Sequence, residues 1–194
     1  MLKKALLLGV ITVASSFAAP INYISYLSGG AESPANSSAG TGVALVTLDS
    51  VANTMRVQVT FSGLTGTTTN SHIHCCLGTP FTGTTGVATL TPTFTGFPGG
   101  VTSGMYDATY DMTLASSYNA AFVTANGGTA ASAKTALFNG IATPGVAYLN
   151  IHTSTFGGGE IRGFFTVAPE PGTFGLMGAA VLGLGFAARR KARS

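Results

Sequence analysis

Short segments in which apolar and polar residues alternate, separated by Gly, Pro, Asn and Ser, recur along this chain. The clearest covers residues 55–62, where Met, Val, Val and Phe alternate with Arg, Gln, Thr and Ser. A period of two places alternate side chains on opposite faces of a β-strand, so one face is buried and the other contacts water. The pattern therefore predicts short antiparallel strands.

Seven segments carry strand signals, and turn residues separate them. They are residues 41–48, 55–62, 70–75, 87–91, 105–114, 146–152 and 160–167. A turn over residues 49–53 joins the first two segments as a hairpin. We therefore expect an all-β fold, either an antiparallel β-sandwich or a Greek-key barrel.

One region departs from the strand pattern. Alanines dominate between residues 116 and 140, and Thr129 has the character of a helix N-cap. Asn139 and Gly140 would end the helix that Thr129 begins. One or two short helices are expected here, as a crossover packed on the sheet.

The N-terminal segment, residues 1–18, is typical of a secretory signal peptide. Two lysines precede an apolar stretch, and small residues follow up to Ala18, the expected cleavage point.

The C-terminal segment, residues 169–194, combines three features that point to sorting. A Pro-Glu-Pro break is followed by an apolar stretch over residues 173–188 and by a basic tail, and the stretch is shorter than the roughly 20 residues of a typical membrane span. The basic tail should stay in the cytoplasm. The residues that carry the pattern are Pro169, Glu170, Pro171, Arg189 and Arg190.

This order of parts resembles the PEP-CTERM sorting signal of bacteria that secrete exopolysaccharide. The resemblance implies transient membrane anchoring by a C-terminal helix and cleavage by an exosortase-type enzyme.

Between these ends, residues 19–168 form one expected domain with a weakly acidic balance. It has three basic and five acidic side chains, a net charge of −2 with histidine neutral. The domain therefore offers no cationic surface for nucleic acid.

Several ordered motifs of this domain resemble the CHRD domain, a module named from chordin. They are GTGVALVTLD (residues 40–49), VTFSGLTG (59–66), SHIH (71–74), GVTSGMYD (100–107) and GVAYLNIHTSTFGGGEIRG (145–163). The resemblance implies an all-β domain in an extracellular protein, and it implies no particular activity. Where that family continues its His-Ile-His with glycines and small residues, this chain has Cys75 and Cys76.

The three histidines of the chain are candidate metal ligands. In an extended strand His72 and His74 point to one face, and the alternation in residues 147–153 places His152 on the outer face of its strand. If the two strands are neighbours, the imidazoles form a cluster suited to Cu(II) or Zn(II). The alternative is that they are polar side chains on a wet face, hydrogen-bonded to Thr, Ser or a carboxylate.

The His-X-His element also resembles the copper-binding strand of Cu,Zn superoxide dismutase. That enzyme's dinuclear site needs more than the three histidines of this chain. We therefore expect no enzyme activity, and no cofactor unless the histidines bind Cu or Zn.

Cys75 and Cys76 are the only cysteines, and they are adjacent in a chain expected to be exported. An oxidising compartment favours their pairing. The first hypothesis is a disulfide between the two, which requires a strained turn because neighbouring Cα atoms lie only about 3.8 Å apart. Intermolecular pairing and metal ligation by Cys76 are the alternatives.

Glu160 and Arg162 alternate on one predicted strand and so share a face. We expect an exposed ion pair between them, with a joint role in ligand binding as the alternative.

These features together predict a secreted protein of the cell surface or extracellular matrix with a structural or adhesive role. Exopolysaccharide and other matrix proteins are the expected partners, beside the exosortase-type enzyme. The competing hypothesis is a Cu or Zn site at the three histidines, with redox chemistry from the cysteines.

Overall fold

The computed structural model describes residues 19–169. The predicted signal peptide, residues 1–18, lies outside the described residues. So do the predicted apolar helix and basic tail, with Glu170, Pro171, Arg189 and Arg190. Pro169 is an exposed residue at the end of the described part.

Eight strands form one antiparallel sheet that curls into a half-barrel. They are β1 (Ile21–Ser28), β2 (Thr41–Asp49), β3 (Thr54–Ser62), β4 (Thr68–His74), β5 (Gly104–Asp111), β6 (Tyr148–Thr153), β7 (Ile161–Phe164) and β8 (Thr166–Val167). The order across the sheet is β4-β6-β7-β1-β2-β3-β5, and β8 pairs with β1. The all-β prediction is confirmed.

The β2–β3 hairpin forms where the sequence predicts it. Asp49 pairs with Thr54 at the turn, and the Asp49 carboxylate accepts hydrogen bonds from the backbone N–H groups of Val51 and Ala52. Asn53 adopts a positive φ of 56°, a conformation that asparagine tolerates better than most residues. Local turn chemistry therefore fixes the register of the hairpin.

Two short α-helices cross from β5 to β6. They are α1 (Ala120–Ala125) and α2 (Ala130–Ala142). Asn119 caps α1, and Thr129 caps α2 in a capping box with Ser132. The helix α2 packs on the sheet through Ala133, Leu137 and Ile141, which are completely buried at a spacing of four residues.

The apolar core lies on one face of the sheet. Each apolar residue of the alternating β3 pattern is at most 2% exposed: Met55, Val57, Val59 and Phe61. Val46 and Ala44 of β2 are also completely buried on this side, and the far strands contribute Ile73, Leu149, Ile151 and Ile161. The predicted inward faces of these strands are therefore the buried ones.

Several details of the prediction are wrong: besides those that follow, the strand predicted over residues 105–114 ends at Asp111, and the one predicted over residues 160–167 divides into β7 and β8. The sequence pattern predicts no strand over the residues that form β1. Residues 87–91 form no strand, because only Val87 and Thr89 make isolated bridges, to His74 and Tyr118. Helix α2 continues through Gly140 to Ala142 instead of ending there.

The half of the sheet formed by β4, β6 and β7 is covered on both faces. Its inner face joins the apolar core, and its outer face lies under two loop regions, residues 29–40 and 75–103. Contacts from the outer face reach the backbone oxygens of Ala31, Gly83, Thr85 and Pro92 in these loops. A second, polar layer is therefore buried outside the sheet.

No helix within residues 19–169 is long and apolar enough to cross a membrane.

Candidate metal centre

The strand register brings the three histidines together on the outer face of β4 and β6. His72 lies opposite Asn150 in the β4–β6 pair, and Asn70 lies opposite His152. Residues directly opposite each other in antiparallel strands point to the same face, so His72, His74 and His152 are neighbours. The ring centroid of His72 is 4.7 Å from that of His74 and 4.8 Å from that of His152.

The prediction that this face is exposed to water is wrong for this part of the sheet. His72 is only 6% exposed, and His74 and His152 are half-buried. The loops described above cover the rings, and alternation within a strand carries no information about such remote segments.

Each imidazole is anchored at its Nδ1 atom by a backbone carbonyl. The Nδ1 of His72 is 3.1 Å from the oxygen of Pro92, that of His74 is 2.7 Å from the oxygen of Thr85, and that of His152 is 2.8 Å from the oxygen of Gly157. A carbonyl oxygen only accepts hydrogen bonds, so each Nδ1 must carry the proton and donate it. In a neutral ring the Nε2 atom then presents a lone pair.

The ring nitrogens of the three histidines lie close together. His72 Nε2 and His152 Nε2 are 2.9 Å apart, and one ligand atom from each of the three rings lies within 4.8 Å of the others. Two unprotonated nitrogens at 2.9 Å repel each other unless a proton or a cation lies between them. The nitrogens of a tetrahedral zinc site are about 3.4 Å apart, so the longest of these separations would have to shorten by about 1.4 Å to complete the site.

Burial keeps the rings neutral, as metal ligands must be. It lowers the pKa of His72 to about 4, with further lowering from the neighbouring His74 and His152. Burial also lowers the pKa values of His74 and His152 below the ordinary value. Neutral rings with carbonyl-bound Nδ1 atoms are the usual state of metal-ligating histidine.

A polar and aromatic group continues the site across β6 and β7. The ring of Tyr148 stacks on the ring of His74 at a centroid distance of 4.7 Å. The guanidinium of Arg162 lies 4.7 Å from the Tyr148 ring centroid and donates to the backbone oxygens of Ala31 and Gly83. Arg162 is therefore held rigidly, since it is only 2% exposed.

The acidic neighbour of Arg162 is Glu32, from the loop after β1. Arg162 Nε is 3.9 Å from Glu32 Oε2, so the two charges are close without a tight hydrogen bond. Burial raises the pKa of Glu32 to about 7, although the charge of Arg162 opposes this rise.

Three buried acceptor atoms at this site lack a hydrogen-bond partner among the described residues. They are His74 Nε2, Asn150 Oδ1 and Glu32 Oε1. The Asn150 side chain lies beside both other residues, close enough to affect their pKa values. Buried acceptors of this kind are costly and call for an explanation.

The expected exposed ion pair between Glu160 and Arg162 is wrong. Glu160 is completely buried and accepts hydrogen bonds from the hydroxyls of Ser38 and Thr153 and from the backbone N–H groups of Thr65 and Gly66. Burial alone would raise the pKa of Glu160, but these donors hold it below the ordinary value. Glu160 therefore fastens the β3–β4 loop to the sheet.

Cys75 and Cys76, at the end of β4, are joined by a disulfide in the structure. Their Cα atoms are 3.0 Å apart across a cis peptide, closer than the spacing of a trans peptide. The sulfurs face Gly140 of α2, where an added Cβ would contact Cys75 Sγ and lie 2.8 Å from Cys76 Sγ. The cluster of potential metal ligands in the described part of the chain consists of the three histidines, without either cysteine.

Sequence reasoning singles out the histidines but not Glu32, Asn150 or Tyr148 as site residues. The alternation in β6 places Tyr148 and Asn150 on the same face as His152, so these two could have been found by register. Glu32 lies in a loop, and no local pattern marks its contact with Arg162, which is 130 residues away in sequence.

Comparison with protein families identifies both parts of the chain. The CHRD domain model matches residues 23–165, and the PEP-CTERM protein-sorting motif matches residues 167–191. No curated protein and no solved structure is significantly similar to the chain. The PEP-CTERM motif implies processing by an exosortase-type system and secretion toward the cell surface. The chain belongs to the CHRD family and carries a C-terminal PEP-CTERM sorting signal.

Proposed function

We propose that this exported CHRD domain binds one transition-metal ion, Cu(II) or Zn(II), through the Nε2 atoms of His72, His74 and His152. The observation that carries the proposal is the convergence of three imidazoles whose Nδ1 atoms all donate to backbone carbonyls. Three neutral imidazoles form a donor set that suits both metals.

The surroundings support a bound cation more than a set of stacked neutral rings. A purely structural arrangement would pair each ring nitrogen with a donor or an acceptor, as buried polar atoms usually are. Here the 2.9 Å contact joins two acceptor nitrogens, and His74 Nε2 has no hydrogen-bond partner among residues 19–169. A single cation satisfies all three atoms.

Calorimetric titration of Cu(II) and Zn(II) into the untagged protein tests the proposal. We expect binding of one ion per chain and a loss of affinity of roughly 100-fold or more in the His72→Ala and His152→Ala variants. Thr69→Ala, an exposed change on β4, is the matched control and should bind as the wild type does. Circular dichroism of each variant checks that the fold is retained.

Two results would overturn the metal site. One is the absence of saturable binding in the wild type. The other is binding that His152→Ala leaves unchanged, because that ion would then lie elsewhere.

A second candidate function, a structural or adhesive role in an exopolysaccharide matrix, is favoured by the outer face of the sheet. Tyr26, Val43, Thr60 and Met105 lie opposite one another across β1, β2, β3 and β5. Tyr26 is 70% exposed and Met105 is 77% exposed. Such a row of exposed side chains offers one continuous contact surface, and its aromatic ring can stack on a sugar.

Sedimentation of the protein with isolated exopolysaccharide tests this role. Tyr26→Ala and Met105→Ala should each reduce the bound fraction, whereas Val51→Ala, an exposed apolar residue at the β2–β3 turn, should not. Equal binding by all three variants would exclude this surface as the contact.

A further inference from the structure

We infer that the metal site keeps a fourth, exchangeable ligand position beside His74, which Asn150 and Glu32 border and which admits a small anion in place of water. This inference rests on the proposed function, since it concerns the same ion. It assigns the site to the open type, with three protein ligands and one exchangeable ligand, as opposed to a closed structural type.

The first argument is the chemistry of the unpartnered atoms. His74 Nε2, Asn150 Oδ1 and, in the ionised carboxyl, Glu32 Oε1 are acceptors, and all three atoms are buried. A metal ion satisfies the histidine nitrogen. A water molecule on that ion has two O–H donors, which match the two remaining oxygens.

The second argument is the fixed position of the two oxygens. Asn150 is 2% exposed and lies between His72 and Arg162 in the strand register. Gly159 adopts a φ of 130°, and a Cβ there would lie 2.5 Å from Asn150 Nδ2 and 2.7 Å from Glu32 Oε1. The close approach of this loop holds both side chains against the sheet.

The third argument is charge. The guanidinium of Arg162 is buried next to Asn150, and backbone carbonyls anchor it. Together with the metal ion, it makes the site electropositive, whereas the Glu32 carboxylate partly offsets this charge. The ion and Arg162 therefore attract an anion that replaces the water, and the Glu32 carboxylate weakens this attraction.

Azide titration of the Cu(II)-loaded protein tests the inference. Azide replaces one water molecule on the ion, and the new Cu–azide bond gives a charge-transfer absorption band that reports the occupied fraction. We expect saturable azide binding in the wild type. At pH 8, where the Glu32 carboxyl is ionised, Glu32→Gln removes a negative charge and should tighten azide binding about tenfold, whereas Asn150→Asp adds one and should weaken it by a similar factor.

Asp49→Asn is the matched control, because it removes a carboxylate at the exposed β2–β3 turn, and azide affinity should stay unchanged. A purely structural role of Glu32, as the partner of Arg162, would change thermal stability without changing azide affinity. If Asn150→Asp does not fold, Glu32→Gln still gives the decisive comparison with Asp49→Asn.

The outcomes separate the two proposals. If copper fails to load, the metal site is wrong and the inference falls with it. If copper loads, as one electron-paramagnetic-resonance signal per chain, but azide does not bind, only the open position is wrong. The open position is also wrong if Glu32→Gln and Asp49→Asn bind azide with the same affinity.

Discussion

Replacing Gly140 by alanine should destabilise the protein, although alanine is the better helix former. In an exposed helix the change would add about 1 kcal/mol of stability. At Gly140 the new Cβ would contact Cys75 Sγ and lie 2.8 Å from Cys76 Sγ. Overpacking costs roughly 1–3 kcal/mol, and contacts below 3 Å to both sulfurs place Gly140 in the upper part of that range, at about 2–3 kcal/mol. The expected net loss is about 1–2 kcal/mol, which lowers the melting temperature by roughly 3–6 °C in a domain of this size.

The same substitution should have the opposite sign when the sulfurs are absent. With Cys75→Ala and Cys76→Ala, the nearest remaining atom would be the Cβ of residue 75, at 3.8 Å, which is ordinary van der Waals contact. Gly140→Ala should then stabilise the helix by up to about 1 kcal/mol. The coupling between the two changes is therefore expected to be about 2–3 kcal/mol.

Urea unfolding of the four proteins, followed by circular dichroism, measures this cycle. The reasoning would be refuted if Gly140→Ala cost the same free energy with and without the cysteines. The clash would then be with something other than the disulfide.

Three further predictions concern the buried polar layer. Burial lowers the pKa of His72 from 6.5 to about 4. In the protein without added metal, the stability linked to the neutral His72 ring is therefore fully present above pH 6.5. It is lost as the pH falls to 4, by about 3 kcal/mol at most. The free energy of unfolding of His72→Gln, from urea titrations, should therefore rise less steeply than that of the wild type between pH 4 and 6.5, and an unchanged slope contradicts this. Burial raises the pKa of Glu32 from 4.5 to about 7, so its contribution is present below pH 4.5 and is lost as the pH rises to 7. Between pH 4.5 and 7 the free energy of unfolding of Glu32→Gln should therefore rise more steeply with pH than that of the wild type. Equal slopes would show that the pKa of Glu32 is not raised. Gly159→Ala should cost about 2 kcal/mol, since φ is 130° and the Cβ would meet Asn150 and Glu32, whereas Gly158→Ala has no atom within 4 Å of its Cβ and should cost less than about 0.5 kcal/mol. Thermal melts of this adjacent pair measure the difference, and similar melting temperatures would contradict the close contact.

The parts of the fold that local chemistry determines could be predicted from the sequence. The alternation in β3 and the capping residue Thr129 both act within a few residues, and both give the observed element. Strand β1 could not be found in this way, because Ser25 is buried between Tyr23 and Leu27 and breaks the apolar alternation. Its identity depends on pairing with β2, which is a property of the whole sheet.

The candidate site shows the same division. A period of two places His72, His74 and His152 on the outer faces of their strands, and pairing of β4 with β6 brings them together. Their burial could not be predicted, because it comes from loops that supply the oxygens of Pro92 and Thr85. The predicted end of α2 at Gly140 is wrong for a related reason, since Gly140 provides space for the disulfide and does not terminate the helix.

The cost of the polar layer is itself an argument for a bound ion. His74 Nε2, Asn150 Oδ1 and Glu32 Oε1 are buried without hydrogen-bond partners in the described part of the chain. Left without any partner, each such atom would cost roughly 1–3 kcal/mol, a large share in total of the roughly 5–15 kcal/mol that stabilises a domain. Apolar side chains at these positions would make a more stable sheet if stability were the only requirement. A cation at the histidines, with water on it, would satisfy all three atoms, and at 100 times its dissociation constant it would add about 2.7 kcal/mol. Buried acceptors beside the three histidines are therefore the arrangement expected if the proposed ion binds here.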